Sequence, residues 1–138
     1  MPAKDFYHEQ VKRALVKDGW TITHDPYTIT FGTKSVFVDF GAERILAAEK
    51  GSEKIVVEIK SFLSDSDLSD LELAVGQFAF YRSLLSRVDP TRKLYLAVTT
   101  EVFSETFEEP IARPVLEDLK IPVITFDPKK EELVKWIN

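Results

Sequence analysis

The sequence predicts an α/β domain in three layers, with a mixed central sheet flanked by helices on both sides. Three observations carry that expectation. An amphipathic helical stretch precedes several short runs rich in β-branched and aromatic residues, and a long helical stripe then begins at Asp67. After it comes KLYLAVTT, almost continuously apolar, as expected of a central strand covered on both faces and reached by a helical crossover. Helix, antiparallel strands, long helix and buried strands in that order build one mixed sheet between helical layers.

Taken in chain order, Tyr7, Val11, Ala14 and Leu15 recur at helical spacing, so Asp5 to Asp18 reads as a helix ending before Gly19. A strand begins at Trp20, and TITHDPYTITF alternates on both sides of Asp25-Pro26, which predicts two short strands joined by a turn. Gly32 marks the next break. SVFVDF, RILAAEK and KIVVEIKSF read as an antiparallel meander, with Lys50-Gly51-Ser52-Glu53 as the last hairpin turn. From Ser66 or Asp67, Leu68, Leu71, Val75, Phe78 and Leu85 form a helical stripe broad enough to cover a sheet face. PVITF is a further buried strand. Helical patches are expected at Phe103 to Glu109 and Lys129 to Ile137, with Pro110, Pro114 and Pro128 interrupting them.

At 138 residues and 44% apolar content the chain suits one continuous core, so residues 1–138 are expected to form one domain. No apolar run approaches the roughly 20 residues that cross a bilayer. The charged start MPAKDFYHEQ lacks the apolar stretch of a secretion signal, and the absence of cysteine removes disulfides and thiolate metal sites. A cytoplasmic location is the expectation. The net charge of −5 opposes tight non-specific DNA binding by the chain alone. The acidity is uneven, because Glu101 to Asn138 holds nine carboxylates against five basic residues. The first helix gathers Lys4, Lys12, Arg13 and Lys17, a pattern that also suits an ordinary solvated face.

In KIVVEIK the pleat sends Val56, Glu58 and Lys60 to one face and Ile55, Val57 and Ile59 to the other. Glu-x-Lys alone is also the pattern of an exposed pair on a half-buried strand. The preceding VFVDF adds Asp39, an acid at the end of a β-branched run, where burial demands partners. Mg²⁺ suits such a pair, because it takes a few carboxylate oxygens and keeps several waters. Lys60 beside the ion would orient or deprotonate an attacking water, or stabilise charge on a phosphate. The other reading of Asp39 is a strand-end turn acid, and Glu49, then Glu43, are the substitutes for it. His8 and Glu9 adjoin on the first helix, where His8 could face the same cleft or be a surface group. His24 reads as part of the turn before Pro26. Gln77 and Tyr81 lie one turn apart on a shared helix face, available either for support of the site and DNA contact or for the core margin. Two histidines and no cysteine disfavour zinc.

Asp39, then Glu58-x-Lys60, preceded by a helix carrying Glu9, resembles the PD-(D/E)XK nuclease superfamily of restriction-endonuclease-like fold. GQFAFY, with Gln77 and Tyr81, is similar to the Gln-x-x-x-Tyr helix of recombination nucleases. Val38 replaces the motif proline, and the interval from Asp39 to Glu58 is longer than in compact members. The resemblance implies Mg²⁺ or Mn²⁺ held by Asp39 and Glu58, or by Glu49, with Lys60 as the polar catalytic group and Glu9 in support.

A narrower resemblance, to the cyanobacterial XisH family of fdxN element excision controlling factors, covers nearly the whole chain. It rests on AKDFYHEQVKRALVKDGWTITHDPYTI, FVDFGAER, AAEKGSEKIVVEIKSF, GQFAFYRSLL and RKLYLAV. It implies a role in programmed DNA rearrangement during heterocyst development, beside a site-specific recombinase and an XisI-like partner. DNA is the expected substrate or partner, and a homo-oligomer is compatible with the sequence. Two functional classes stay open: a metal-dependent endonuclease, and a non-catalytic regulator using a nuclease-like scaffold to dock a partner.

Overall fold

The computed structural model describes residues 4–45 and 51–138. Its elements are α1 (His8–Lys17), β1 (Thr21–His24), β2 (Tyr27–Phe31), β3 (Lys34–Val38), β4 (Phe40–Ile45), β5 (Ser52–Ile59) and α2 (Asp67–Val88). There follow β6 (Lys93–Thr99), α3 (Thr100–Val102) running into a π-turn at Phe103–Phe107, α4 (Arg113–Leu119), β7 (Val123–Asp127) and β8 (Glu132–Ile137). Six strands form one mixed sheet in the order β1-β4-β5-β6-β7-β8, and β2 and β3 form a separate hairpin. β5, β6 and β7 are parallel neighbours, and the outer pairings are antiparallel. The expected mixed sheet between helical layers is therefore present.

Alternation along the central strands divides the core in two. On one face Val11 and Leu15 of α1 pack with Trp20 against Ile55, Val57, Ile59, Ala97, Ile124 and Phe126. On the other, Leu71, Ala74, Phe78 and Leu85 of α2 cover Val56, Leu94, Leu96, Val98 and Val123. The Ser66 hydroxyl caps α2 by accepting from the Ser69 amide at 3.2 Å. α1 ends as expected, with Gly19 at φ +94° turning the chain toward β1.

The two short strands flanking Asp25-Pro26 form as expected, β1 joining β4 at the sheet edge and β2 pairing with β3. Burial sets those partners, since Ile22 packs on the α1 side while Tyr27 and Ile29 enter the α2 side. Three expectations are corrected. The run SVFVDF breaks, at Asp39. In an unbroken strand Val38 and Phe40 would share a face; here Val38 enters one core and Phe40 the other, so the chain crosses the sheet plane at Asp39. Residues 129–137 are not helical. Short apolar runs are ambiguous by period, and Trp136 settles this one by stacking on Trp20 at 5.6 Å with the chain extended beside β7. Finally, α4 forms despite Pro114, because the ring sits in the first turn, where no amide hydrogen bond is lost.

The edge of the sheet is tight at Gly41. A Cβ there would lie 2.7 Å from Tyr27 Cδ2 and 2.9 Å from His24 Nδ1. Gly41→Ala is expected to cost about 1–3 kcal/mol by overpacking, read as a lower urea midpoint with an unchanged slope; an unaltered midpoint would mean the hairpin yields freely.

Candidate carboxylate and lysine site

The break at Asp39 sets its carboxylate across the end of β5. Asp39 Oδ2 accepts the Ile59 amide hydrogen at 2.8 Å, and Oδ1 lies 3.4 Å from His8 Nδ1. Glu58, one residue before Ile59, is only 5% exposed on the α2 side of the strand. Burial first, and then the Asp39 carboxylate, which hydrogen-bonds the protonated form and repels the charged one, push the Glu58 carboxyl up to about 9. The Lys60 ammonium, half-buried just beyond the strand, pulls the other way. Asp39 and the Lys60 ammonium thus both act on the Glu58 carboxyl, although among the described residues Lys60 forms no ion pair with either acid.

The α2 helix closes the group from above. Burial, followed by the charges of Glu58 and Asp39, raises the Tyr81 phenol. One turn earlier on the same helix face, the Gln77 Oε1 atom is buried without a hydrogen-bond partner. An orphaned carbonyl oxygen of this kind costs about 1–3 kcal/mol.

His8 is buried rather than a surface group. Its ring packs on Phe40 at 4.3 Å, and its Nε2 lies 2.9 Å from Asp25 Oδ1. Lys12 Nζ donates to the other Asp25 oxygen at 2.8 Å. Burial raises the Asp25 carboxyl, but the Lys12 hydrogen bond and the His8 and Lys12 charges outweigh it and hold the group below its usual range. A chain of contacts from Lys12 through Asp25 and His8 to Asp39 results.

Glu9 takes no part in this group. It stands half-exposed 3.5 Å from Lys4 Nζ, on the outward face of α1. Asp5 stands nearer: its Oδ1 accepts from Ser61 Oγ at 2.7 Å and from the Tyr7 amide at 2.9 Å. Burial raises the Asp5 carboxyl, opposed by those hydrogen bonds and by Lys60 and reinforced by Asp39. Sequence reasoning passed over Asp5 because it read as the first residue of the opening helix, and passed over Asp25 because Asp-Pro reads as a turn. Only the apposition of Ser61 and His8 distinguishes them. Glu43 is excluded as a substitute for Asp39, since it pairs with Lys54 in the register of β4 and β5 and accepts from Arg92 at 3.3 Å. Glu49 lies outside the described residues.

Among the described residues, no three His, Cys, Asp or Glu side chains stand close enough together to enclose a metal ion. The donor set fits a hard cation nonetheless. The raised Glu58 carboxyl beside the Asp39 carboxylate, with an uncommitted amide oxygen on α2, suits an ion that takes few protein oxygens and keeps its waters.

Because the Glu58 carboxyl lies higher when folded than in the unfolded chain, its contribution to stability is full below about pH 4.5 and is lost as pH rises toward 9. Glu58→Gln is accordingly expected to raise Tm at pH 8 by about 3 °C or more and to flatten the decline between pH 5 and 9. A variant melting lower than the parent across that range would show that the two acids are not in conflict.

The XisH protein family matches residues 1–134. The chain is 39% identical to an XisH family protein from Nostoc punctiforme PCC 73102, whose crystal structure covers 97% of this chain and 100% of its own at a TM-score of 0.87. It is also 39% identical to an fdxN element excision controlling factor protein from Anabaena variabilis, with 98% and 100% covered at the same TM-score. No curated protein matches the chain.

Proposed function

The chain belongs to the XisH family, and on that premise we propose that it is a DNA-rearrangement factor controlling excision of a DNA element, the role named for the Anabaena variabilis relative. Within that role, the geometry best supports a metal-assisted phosphodiester endonuclease of PD-(D/E)XK type on a restriction-endonuclease-like fold. The observation that carries it is the buried Glu58 carboxyl paired with the half-buried Asp39, near Lys60.

Each residue has a task that follows from its surroundings. Asp39 is held at both oxygens, by the Ile59 amide and by His8, and so presents a fixed edge. Glu58 supplies the second carboxylate from the neighbouring strand. These two would hold Mg²⁺ or Mn²⁺, which when bound supplies Lewis-acid stabilisation of phosphate oxygens and a more acidic attacking water. Lys60 orients that water or stabilises negative charge on the phosphate. Tyr81 and Gln77 bring a hydroxyl and an amide from the opposite side, and burial keeps bulk water from screening these groups. Asp5 and Ser61 steady the segment that follows Lys60.

The test is incubation of the purified protein with branched, nicked, single-stranded and plain duplex DNA in Mg²⁺ or Mn²⁺. Cleavage is expected to require the cation and to fall at least about 100-fold in Lys60→Ala, with Tm unchanged. Failure to cut any of these DNAs, with an XisI-like partner supplied as well, rules out the catalytic reading.

A second reading, a non-catalytic regulator that docks an XisI-like protein or a recombinase, draws on a separate feature. The groove between the π-turn, α4 and β8 has a volume of about 640 Å³ and is walled by Phe103, Phe107, Leu116, Ile121, Val123 and Ile137, away from the carboxylates. Glu117 and Lys135 stand on its rim. Under this reading Glu117→Lys combined with Lys135→Glu weakens co-purification of the partner, whereas Lys60→Ala leaves both partner binding and excision intact.

A further inference from the structure

A second concavity, of about 340 Å³, opens where the last turns of α2 meet the start of β6 and the junction of α4 with β7. Its described walls carry Arg82, Arg92, Lys93 and Lys120 beside Ser86, and no carboxylate. In a chain of net charge −5 that is a local excess of positive charge. Cations crowded together repel one another unless an anion joins them.

The four are not equivalent. Arg92 is committed, bridging to Glu43 and Asp89 and donating to the Ile55 carbonyl at 3.2 Å. Lys93 is committed as well, donating to Asn138 Oδ1 at 2.7 Å with its ammonium 5.1 Å over the Tyr95 ring. Among the described residues, Arg82 and Lys120 form no ion pair with a carboxylate. Arg82 is nevertheless oriented in advance: its Nη1 donates to the Lys120 carbonyl at 3.3 Å, and its guanidinium lies 5.0 Å over the Phe78 ring. Lys120 occupies the cap position after α4 at φ +48°, a left-handed conformation in which glycine is the low-cost residue. A lysine held there at an energetic cost has an account if its ammonium is used.

We propose that this pocket binds a phosphate group, whether of a phosphodiester backbone or of a small phosphorylated molecule. The oriented Arg82 guanidinium and the Lys120 ammonium supply charged donors that phosphate oxygens accept. The pocket is distinct from the carboxylate pair. Lys93 stands opposite Ile55, three residues before Glu58 on β5, which is about 10 Å along the strand. Nothing in the proposal depends on catalysis by the carboxylates.

The competing account is that Arg82 only satisfies the terminal carbonyl of α4, as cations do at helix C-termini. Calorimetric and thermal-shift titrations of the full chain separate the two, using sodium phosphate, a nucleoside monophosphate and a short duplex oligonucleotide. All are run in EDTA, which closes the divalent-cation route to Asp39 and Glu58, with chloride at matched ionic strength as control. Saturable binding and a raised Tm are expected with inorganic phosphate but not with chloride. Lys120→Gly relieves the backbone and is expected to keep Tm or raise it while weakening phosphate about tenfold, and Arg82→Ala is expected to weaken it similarly. Tighter binding of the monophosphate, or of the duplex, identifies the source if that ligand is equally sensitive to Lys120→Gly. Equal responses to phosphate and chloride, or unchanged phosphate affinity in Lys120→Gly, would overturn the proposal.

Discussion

Strand β5 must be buried on both faces and still carry a carboxylate, and much of the molecule is arranged around that conflict. Ile55, Val57 and Ile59 fill one core, and Val56 fills the other. Glu58 then has to lie under α2, where a charge is costly without a partner. The crossing of the chain at Asp39 meets part of that demand and adds to it. It lets Val38 and Phe40 enter opposite cores and gives the Ile59 amide an acceptor, yet sets a second acid beside the first. Such a pair is stable only with shared protons or added positive charge.

Support for this arrangement comes from distant parts of the chain. His8 steadies Asp39 from α1, and α1 is tied to the turn before β8 by Arg13 Nε donating to Glu131 at 2.9 Å and by Lys17 Nζ donating to the Lys130 carbonyl at 2.9 Å. Those surface contacts add little energy individually. The larger anchor is the aromatic packing of Trp136 on Trp20 and on Tyr95, which joins the C-terminal strand to the core beneath α1. The end of the chain therefore helps set the geometry at its beginning.

Charge is distributed so that the net value says little. Acids meet at the end of β5, while Arg82 and Lys120, which form no ion pair among the described residues, stand at the pocket by the start of β6. A net of −5 opposes non-specific attraction to DNA at long range, but local potential is what a phosphate meets at contact. Lys12 and Arg13, which stood out in the sequence as a basic run, are each bound to a carboxylate of this chain.

Period and composition alone determined the layered α/β plan, the long α2 helix and the covered strands β6 and β7, because these follow from side-chain alternation within single segments. Those local rules could not reach the partners. Whether β1 pairs with β2 or β4, whether residues 132–137 coil or extend beside β7, and whether Glu9 or Asp5 approaches the acids depend on which surfaces meet. His8 shows the limit most clearly: in sequence it is one polar residue on a helix, and only the folded chain places Asp25 and Asp39 at its two nitrogens. Long-range burial made those choices, since each depends on contacts between residues far apart in the chain.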